Sequence, residues 1–419
     1  MHRISTRGRW PGLCAWALAW AAWPNLATGA AEPAPTLSLP QAFERAWARQ
    51  PEAQALPERR ASGLAQREAS RAWTPEPVAV EASVRSDRWH RREGAQELEV
   101  GVAVPLWLPG ERERAQGLAE AQLQAVDARA LLAQWQLAQA LRERWWALQR
   151  DREDLRAAQE RLQASQALAD DVARRVQAGD LSRADRHQAD AARAQAQAEQ
   201  ALAQAQAVAS EQALRALLGL APGEPLQPAD APEPEPAPDA AVPAHPLLQA
   251  LAAQAASAQR AEALAAAQSR ANPELTLLQG RDRSARGEPS AGSVTLGLRW
   301  PLGRSERHRA TLSAAAAERT ELEAQLARER ERVDAERHSA AAALVAARAV
   351  LAAATERARL ATETRAFFDK SFRLGETDLP TRLRVDQDAA HAQRELARAR
   401  IDLNRAIAQQ RQSLGLLPQ

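Results

Sequence analysis

Glu97-Leu98-Glu99-Val100-Gly101-Val102-Ala103-Val104-Pro105-Leu106 alternates polar or small residues with apolar ones, and 196 residues later Ser293-Val294-Thr295-Leu296-Gly297-Leu298-Arg299-Trp300-Pro301-Leu302 does the same. Period-two alternation places one set of side chains on each face of a β-strand. Each run has an upstream partner, so strands are expected over 77–88 and 95–106 in one copy and over 273–280 and 293–302 in the other. By parity Glu97, Glu99, Thr295 and Arg299 share the face opposite the apolar set. A half-buried sheet in water alternates in the same way. Two features favour a sheet that faces lipid. Trp73, Trp89, Trp107 and Trp300 stand at strand ends, where an aromatic girdle belongs. The helices flanking the strands are too polar to cover both sheet edges.

The same offset organises the rest of the chain. Gly179 and Gly375, and then Gly219 and Gly415, are also 196 residues apart, while Pro51–Leu56 matches Pro246–Leu251 at 195. One register held by several landmarks is an internal duplication. The copies cover 31–221 and 246–419. They are joined by a Pro-rich linker, 222–245, whose Pro-Glu-Pro-Glu-Pro core cannot be regular secondary structure.

Each copy reads as a moderate helix (40–72 and 246–271), two strands, a very long helix (110–178 and 304–374), a Gly turn and a shorter return helix (182–218 and 380–414). At 1.5 Å per residue a long helix reaches about 100 Å, which no globule needs. Leu141, Leu148, Leu155 and Leu162 fall seven apart, as in a coiled-coil seam. The expected fold is mainly α with a small β membrane part. A barrel needs about eight strands to close, and open edges cannot face lipid, so the four strands of one chain are insufficient. Two chains would close a side-chain-filled barrel. Three would leave a passage, giving a trimeric 12-stranded barrel continued by a coiled-coil α-barrel.

Composition narrows the function classes. The chain has 419 residues, 26% of them charged, with a net charge of +2 and Arg and Glu interspersed, which gives no reason to expect nucleic acid. Arg3, Arg7 and Arg9, the apolar run Leu13 to Trp23 and the small residues around Ala30 read as a secretory signal over 1–30. Cys14 is the only cysteine and follows no lipobox, so neither an acyl anchor nor a disulfide is expected. After the signal no apolar run looks long enough for a membrane helix, leaving a β-barrel as the way into a membrane. There is no phosphate loop, no Gly-x-Ser-x-Gly elbow and no His pair at metal-ligand spacing among the seven scattered histidines. No enzyme activity, cofactor or firmly bound metal is expected.

The duplicated helix–strand–strand–long helix–Gly turn–helix plan resembles the outer-membrane efflux proteins of the TolC type. The tip sequence Phe372-Arg373-Leu374-Gly375-Glu376-Thr377-Asp378-Leu379-Pro380, its counterpart around Gly179-Asp180-Leu181-Ser182 and the closing Leu414-Gly415-Leu416-Leu417-Pro418 look most like the heavy-metal resistance (Czc-type) branch. The resemblance implies a homotrimer in the outer membrane of a Gram-negative bacterium, in contact with its lipid and reaching into the periplasm. It also implies a periplasmic adaptor (membrane-fusion) protein and an inner-membrane pump, of the proton-driven resistance-nodulation-division type, as partners. By position, Gly179, Asp180, Leu181 and Ser182 and the segment Gly375, Glu376, Thr377, Asp378, Leu379 and Pro380 would meet the adaptor. Asp386, Asp388 and Arg382 are the candidate gate or lumen charges, with the outer face or salt bridges between helices as the alternatives. The cargo would be heavy-metal cations; drugs or a type I secreted polypeptide would use the same duct. A reading of another class, an adaptor-like periplasmic coiled coil, leaves the paired amphipathic strands unexplained.

Overall fold

A computed structural model describes residues 36–89, 93–229, 231–236, 244–303 and 306–419. The expected signal at 1–30, with Cys14, lies outside them, as do His90 and the first two positions of the second long helix. Along the chain run α1 (Leu39–Ala48), α2 (Pro51–Ser70), β1 (Ala79–Ser86), β2 (Gln96–Pro105), α3 (Glu111–Ala178) and α4 (Arg183–Leu218). The second copy supplies α5 (Pro246–Ala267), β3 (Glu274–Arg283), β4 (Ala291–Arg299), α6 (Glu306–Arg373) and α7 (Leu379–Ser413).

The helix expected over 40–72 is two helices. Gln50 is extended (φ −69°, ψ 137°) and Pro51 opens α2. At a first helical position proline forfeits nothing, because that N–H has no partner inside the helix. Before it, Ser38 caps α1 by accepting from Gln41 N–H at 3.4 Å, and the Gln41 side chain accepts from Ser38 N–H at 3.1 Å. β3 runs three residues past its expected end, because Asp282 and Arg283 find partners on β2.

The four strands form one antiparallel sheet in the order β1-β2-β3-β4, and β2 pairs with β3 across the two copies. The helices repeat this order. Near the sheet α2 packs on α3, α3 on α5 and α5 on α6; near the tips α4 packs on α3, α3 on α7 and α7 on α6. The backbones of α3 and α6 stay apart, with α5 and α7 between them. The result is a wall one helix thick and four helices wide, continuous with a four-stranded sheet.

Halfway along, α1, the linker and the C-terminus wrap this wall. Leu39, Ala42 and Ala46 of α1 pack with Leu141, Trp145 and Leu148 of α3, Leu214 and Leu218 of α4 and Ile401 and Ala408 of α7. The heptad seam is deepest here. Leu141 and Leu148 are fully buried, whereas Leu155 and Leu162 are half-buried. The described part of the linker carries no helix but is tightly held: Leu37 N–H donates to Gln227 O at 2.8 Å, and Ala229 N–H to Leu37 O at 2.9 Å. Its Glu233 is buried between two guanidinium groups, receiving Arg142 at 2.8 and 2.7 Å and Arg411 at 3.2 Å. Burial lowers the pKa of Arg411, against the pull of Glu233. The Pro-rich linker is thus a structural strap.

One sequence expectation needs correction. Part of α6 is apolar and long enough to cross a membrane by composition alone. That stretch owes its character to alanines between Ser339 and Ala354, and it continues without a break into charged helix at both ends.

Candidate functional site

The sheet has two unlike faces. On one, Val80, Val102, Leu277 and Leu296 form a cross-strand row. Val104, Leu275 and Leu298 form the next on one side, and Ala82, Val100, Gln279 and Val294 the next on the other. Gln279 is the polar member; Val102 and Val104 are half-buried, and the other valines and leucines stand exposed, Val80 and Val294 by about three-quarters of their surface. In water such a continuous apolar face would be a liability. Against lipid tails it is the natural surface. Strands of eight to ten residues have the length needed to cross the hydrocarbon layer.

On the opposite face the rows are Glu81, Gly101, Leu278, Thr295; then Ser83, Glu99, Gly280, Ser293; then Arg85, Glu97, Asp282, Ala291. Arg299 faces Glu274 at one end. Two ion pairs form here, Arg85–Glu97 at 3.0 Å and Arg299–Glu274 at 3.4 Å, and Ser83 Oγ donates to Glu99 at 3.1 Å. Five carboxylates share this face with two guanidinium groups, so it is acidic. Parity along single strands identifies Glu97, Glu99, Thr295 and Arg299. Glu81, Glu274 and Asp282 emerge only from the register between strands. The face is also tight: a Cβ at Gly101 would lie 2.2 Å from Leu277 O.

The tryptophans mark both ends of the sheet. Trp73, Trp107 and Trp300 sit where it joins the helices, with Trp107 donating from its indole to Ala72 O at 3.2 Å. Trp89 is at the opposite, loop end, and Trp73 and Trp89 are almost wholly exposed. The loop end is tied across the copies, Arg286 N–H donating to Glu93 O at 2.9 Å.

About 100 Å from the sheet, the two hairpin tips are built alike. Gly179 (φ 87°) and Gly375 (φ 77°) end α3 and α6 in the left-handed region, where a Cβ is strained. The next residue returns its N–H to the helix: Asp180 to Arg175 O at 2.9 Å, and Glu376 to Ser371 O at 3.0 Å. The caps that start the return helices differ. Ser182 and Asp185 make a reciprocal capping box. Asp378 instead accepts from Thr381 N–H at 3.2 Å, and its carboxyl is held below the usual range by the Thr381 hydroxyl and N–H. Leu181 packs in the tip core and Leu379 is buried there, while Thr377 meets Ser371 Oγ at 2.7 Å and Pro380 is exposed.

The gate candidates divide. Arg382 bonds Asp369 at 2.7 Å and lies 3.7 Å from Asp386, which also takes Arg365 at 2.9 Å. Asp369 also holds Arg373 at 3.1 Å. Asp386 and Arg382 thus belong to a chain of ion pairs tying α6 to α7. Asp388 is exposed and has no ion pair among the described residues. Sequence reasoning missed the centre of this network. Phe372 is 2% exposed, with the guanidinium groups of Arg175 at 5.1 Å and Arg382 at 4.6 Å over its ring. Its place in the tip motif was visible, but the approach of α3 was not. No group of three or more His, Cys, Asp or Glu side chains arranged to hold a metal occurs among the described residues.

Residues 42–220 match the outer membrane efflux protein family. The match spans the first repeat. Among curated proteins none matches the chain in sequence. Solved structures share the fold over most of the chain. The outer membrane protein VceC of Vibrio cholerae superposes with a TM-score of 0.74 at 17% identity, over 90% of this chain and 96% of VceC. The CmeC outer membrane channel of Campylobacter jejuni gives 0.74 at 12%, over 90% and 85%, and CusC gives 0.72 at 14%, over 90% and 92%. At these identities the likeness is one of fold.

Proposed function

We propose that three copies of this chain close into a duct that carries heavy-metal cations from a periplasmic adaptor and a proton-driven inner-membrane pump to the exterior. The observation that carries the duct is the wall with two open edges. A domain normally buries its elements in at least two layers. This wall has one, and it ends at β1, α2 and α4 on one side and at β4 and α6 on the other. The order of strands and the order of helices agree, so one rotation joins β4 to a neighbouring β1 and α6 to a neighbouring α2 and α4. Exposed apolar residues wait on both edges: Leu202 and Val208 on α4, and Val345, Val350 and Phe367 on α6. Twelve strands then form a barrel with the apolar face in lipid and the acidic face inside. The tips Gly179 to Ser182 and Gly375 to Pro380 meet the adaptor, and the Arg382–Asp386 network holds the closed state of the tip.

The metal reading rests on the tip motifs and is favoured by the inner sheet face, whose excess of carboxylates suits cations. Planar-bilayer recording on the purified protein, with its mass determined in the same detergent, tests the duct. A trimer that conducts, with cations more permeant than anions, is expected. A monomer without conductance would return the chain to an adaptor-like coiled coil. Complementation of a strain lacking its own metal-efflux duct separates metal cargo from drug cargo.

A further inference from the structure

The apolar face of the sheet changes character at its loop end. Beyond the row of Ala82 and Val100 stand Val84, Leu98, Arg281 and Gly292, and the row after that holds Ser86, Gln96 and Arg283. Val84 is 76% exposed and Leu98 46%, so Arg281 stands at the rim of the apolar surface and Arg283 just past it. From Leu275 to Arg281 the strand β3 rises roughly 20 Å, most of the height of a barrel's apolar band. The exposed Trp89 lies at the same end, the level at which aromatic side chains meet headgroups.

Among the described strand residues these two arginines are the only charges on this face, since the carboxylates of the strands all lie on the other. Their hydrogen bonds go to neutral acceptors. Arg281 Nε donates to Ser290 Oγ at 2.9 Å, and Arg283 donates to Gly94 O at 3.3 Å and to Gln96 Oε1 at 3.2 Å. The ion pairs within the sheet are Arg85–Glu97 and Arg299–Glu274, on the other face. Acids in the adjoining loops do not fill the gap. Asp87 accepts from Gly94 N–H at 3.0 Å inside its hairpin, and the exposed Glu93 and Glu288 are offset in charge by Arg88 and Arg286.

We propose that Arg281 and Arg283 bind the phosphate of a lipid headgroup in the leaflet that faces the exterior. The proposal rests on the barrel reading, which sets the loop end of the sheet at that surface. A guanidinium beside exposed apolar side chains is costly at a membrane until an anion meets it. The anion found at the border of the hydrocarbon is the lipid phosphate, and the planar guanidinium fork takes two of its oxygens at once. The two arginines are about 7 Å apart along one strand face, close enough for a single headgroup to reach both. Room for it exists on the β4 side, where a Cβ at Gly292 would meet no described atom within 4 Å.

The test is native mass spectrometry of the full-length protein released from detergent. Lipid A, a diphosphorylated glycolipid, is the probe, and the same lipid stripped of its phosphates is the control. Lipid A should be retained roughly tenfold better than the control. Arg281→Gln with Arg283→Gln, outside the core, should erase that preference while trimer mass and conductance stay unchanged. Gly292→Asp, which sets a carboxylate beside Arg281, should weaken it as well. Equal retention of the two lipids, or an unchanged preference in the double variant, overturns the proposal. Displacement of lipid A by millimolar inorganic phosphate would make the rim a free-anion site and overturn the lipid assignment. A conducting trimer without the preference removes this site and leaves the duct standing; a water-soluble monomer removes both.

Discussion

α3 and α6 are each 68 residues long and hold the same place in their repeats, yet sixteen residues of α3 are buried and only five of α6. At matched positions the contrast is direct: Trp145 is 1% exposed, and Ala341, 196 residues on, lies open. The junctions with the sheet differ likewise. Glu111, at the start of α3, is buried and accepts from Gln268 and Asn272 at 2.8 Å each and from Leu108 N–H at 3.0 Å. Its counterpart is the exposed Arg307, preceded by Leu302 with 86% of its surface open. Duplication made two similar helices. Position in the wall then made one a spine with neighbours on both sides and the other an open edge.

The strongest way to break this comparison is to cut into the spine. Trp145→Ala should cost about 3–5 kcal/mol, through lost burial and an unfilled cavity. Ala341→Ser should change stability by less than about 0.5 kcal/mol. Denaturant unfolding in detergent measures both, and equal losses would show that α6 is as embedded as α3.

A smaller effect comes from His245, where spine and edge approach each other. Its ring is 4.8 Å from that of Trp135, is 2% exposed and lacks a hydrogen-bond partner among the described residues. Burial, with Arg337 and Arg332 nearby, pushes its pKa down to about 4. The unfolded chain therefore takes up a proton that the folded chain refuses. Stability should fall as pH drops from about 6.5 towards 4, by roughly 3 kcal/mol in all, with no contribution from this group above that window. His245→Gln should flatten that part of the profile. An unchanged slope would mean that another group carries it.

The tips sharpen the comparison, because there the two copies are equivalent. A Cβ added at Gly179 or at Gly375 would meet no described atom within 4 Å, so positive φ alone sets the cost of a side chain at either turn. Gly179→Ala and Gly375→Ala should each cost about 1–2 kcal/mol of local stability by hydrogen exchange. A loss several times larger at one tip would show that the two turns are not interchangeable. The smallest effect on the folded chain belongs to the edge. Val345→Asp with Val350→Asp should move chain stability by less than about 0.5 kcal/mol, yet convert trimers to monomers in native mass spectrometry. Trimers that persist would place the contact between chains elsewhere.

Much of the tip was legible in the sequence because its parts are local. A glycine in the left-handed region, a cap such as Ser182 or Asp378 and a following helix are separated by only a few residues. Phe372 was not legible as a centre, since the groups over its ring come from α3 and α7, far apart in sequence. Glu233 was hidden for another reason. A carboxylate in a Pro-Glu-Pro-Glu-Pro run reads as solvated linker, and only the arrival of Arg142 and Arg411 makes it a buried ion-pair centre.

The sequence by itself determined the repeat, the kinds of element and their order, because period-two strands, helical spacing and glycine turns are properties of neighbouring residues. Tertiary structure alone decided that α3 is the spine and α6 the edge, which carboxylates share one sheet face, and that the linker is a strap. Those outcomes depend on which distant segments meet, and the energy of a contact is set by both partners and by the water they exclude.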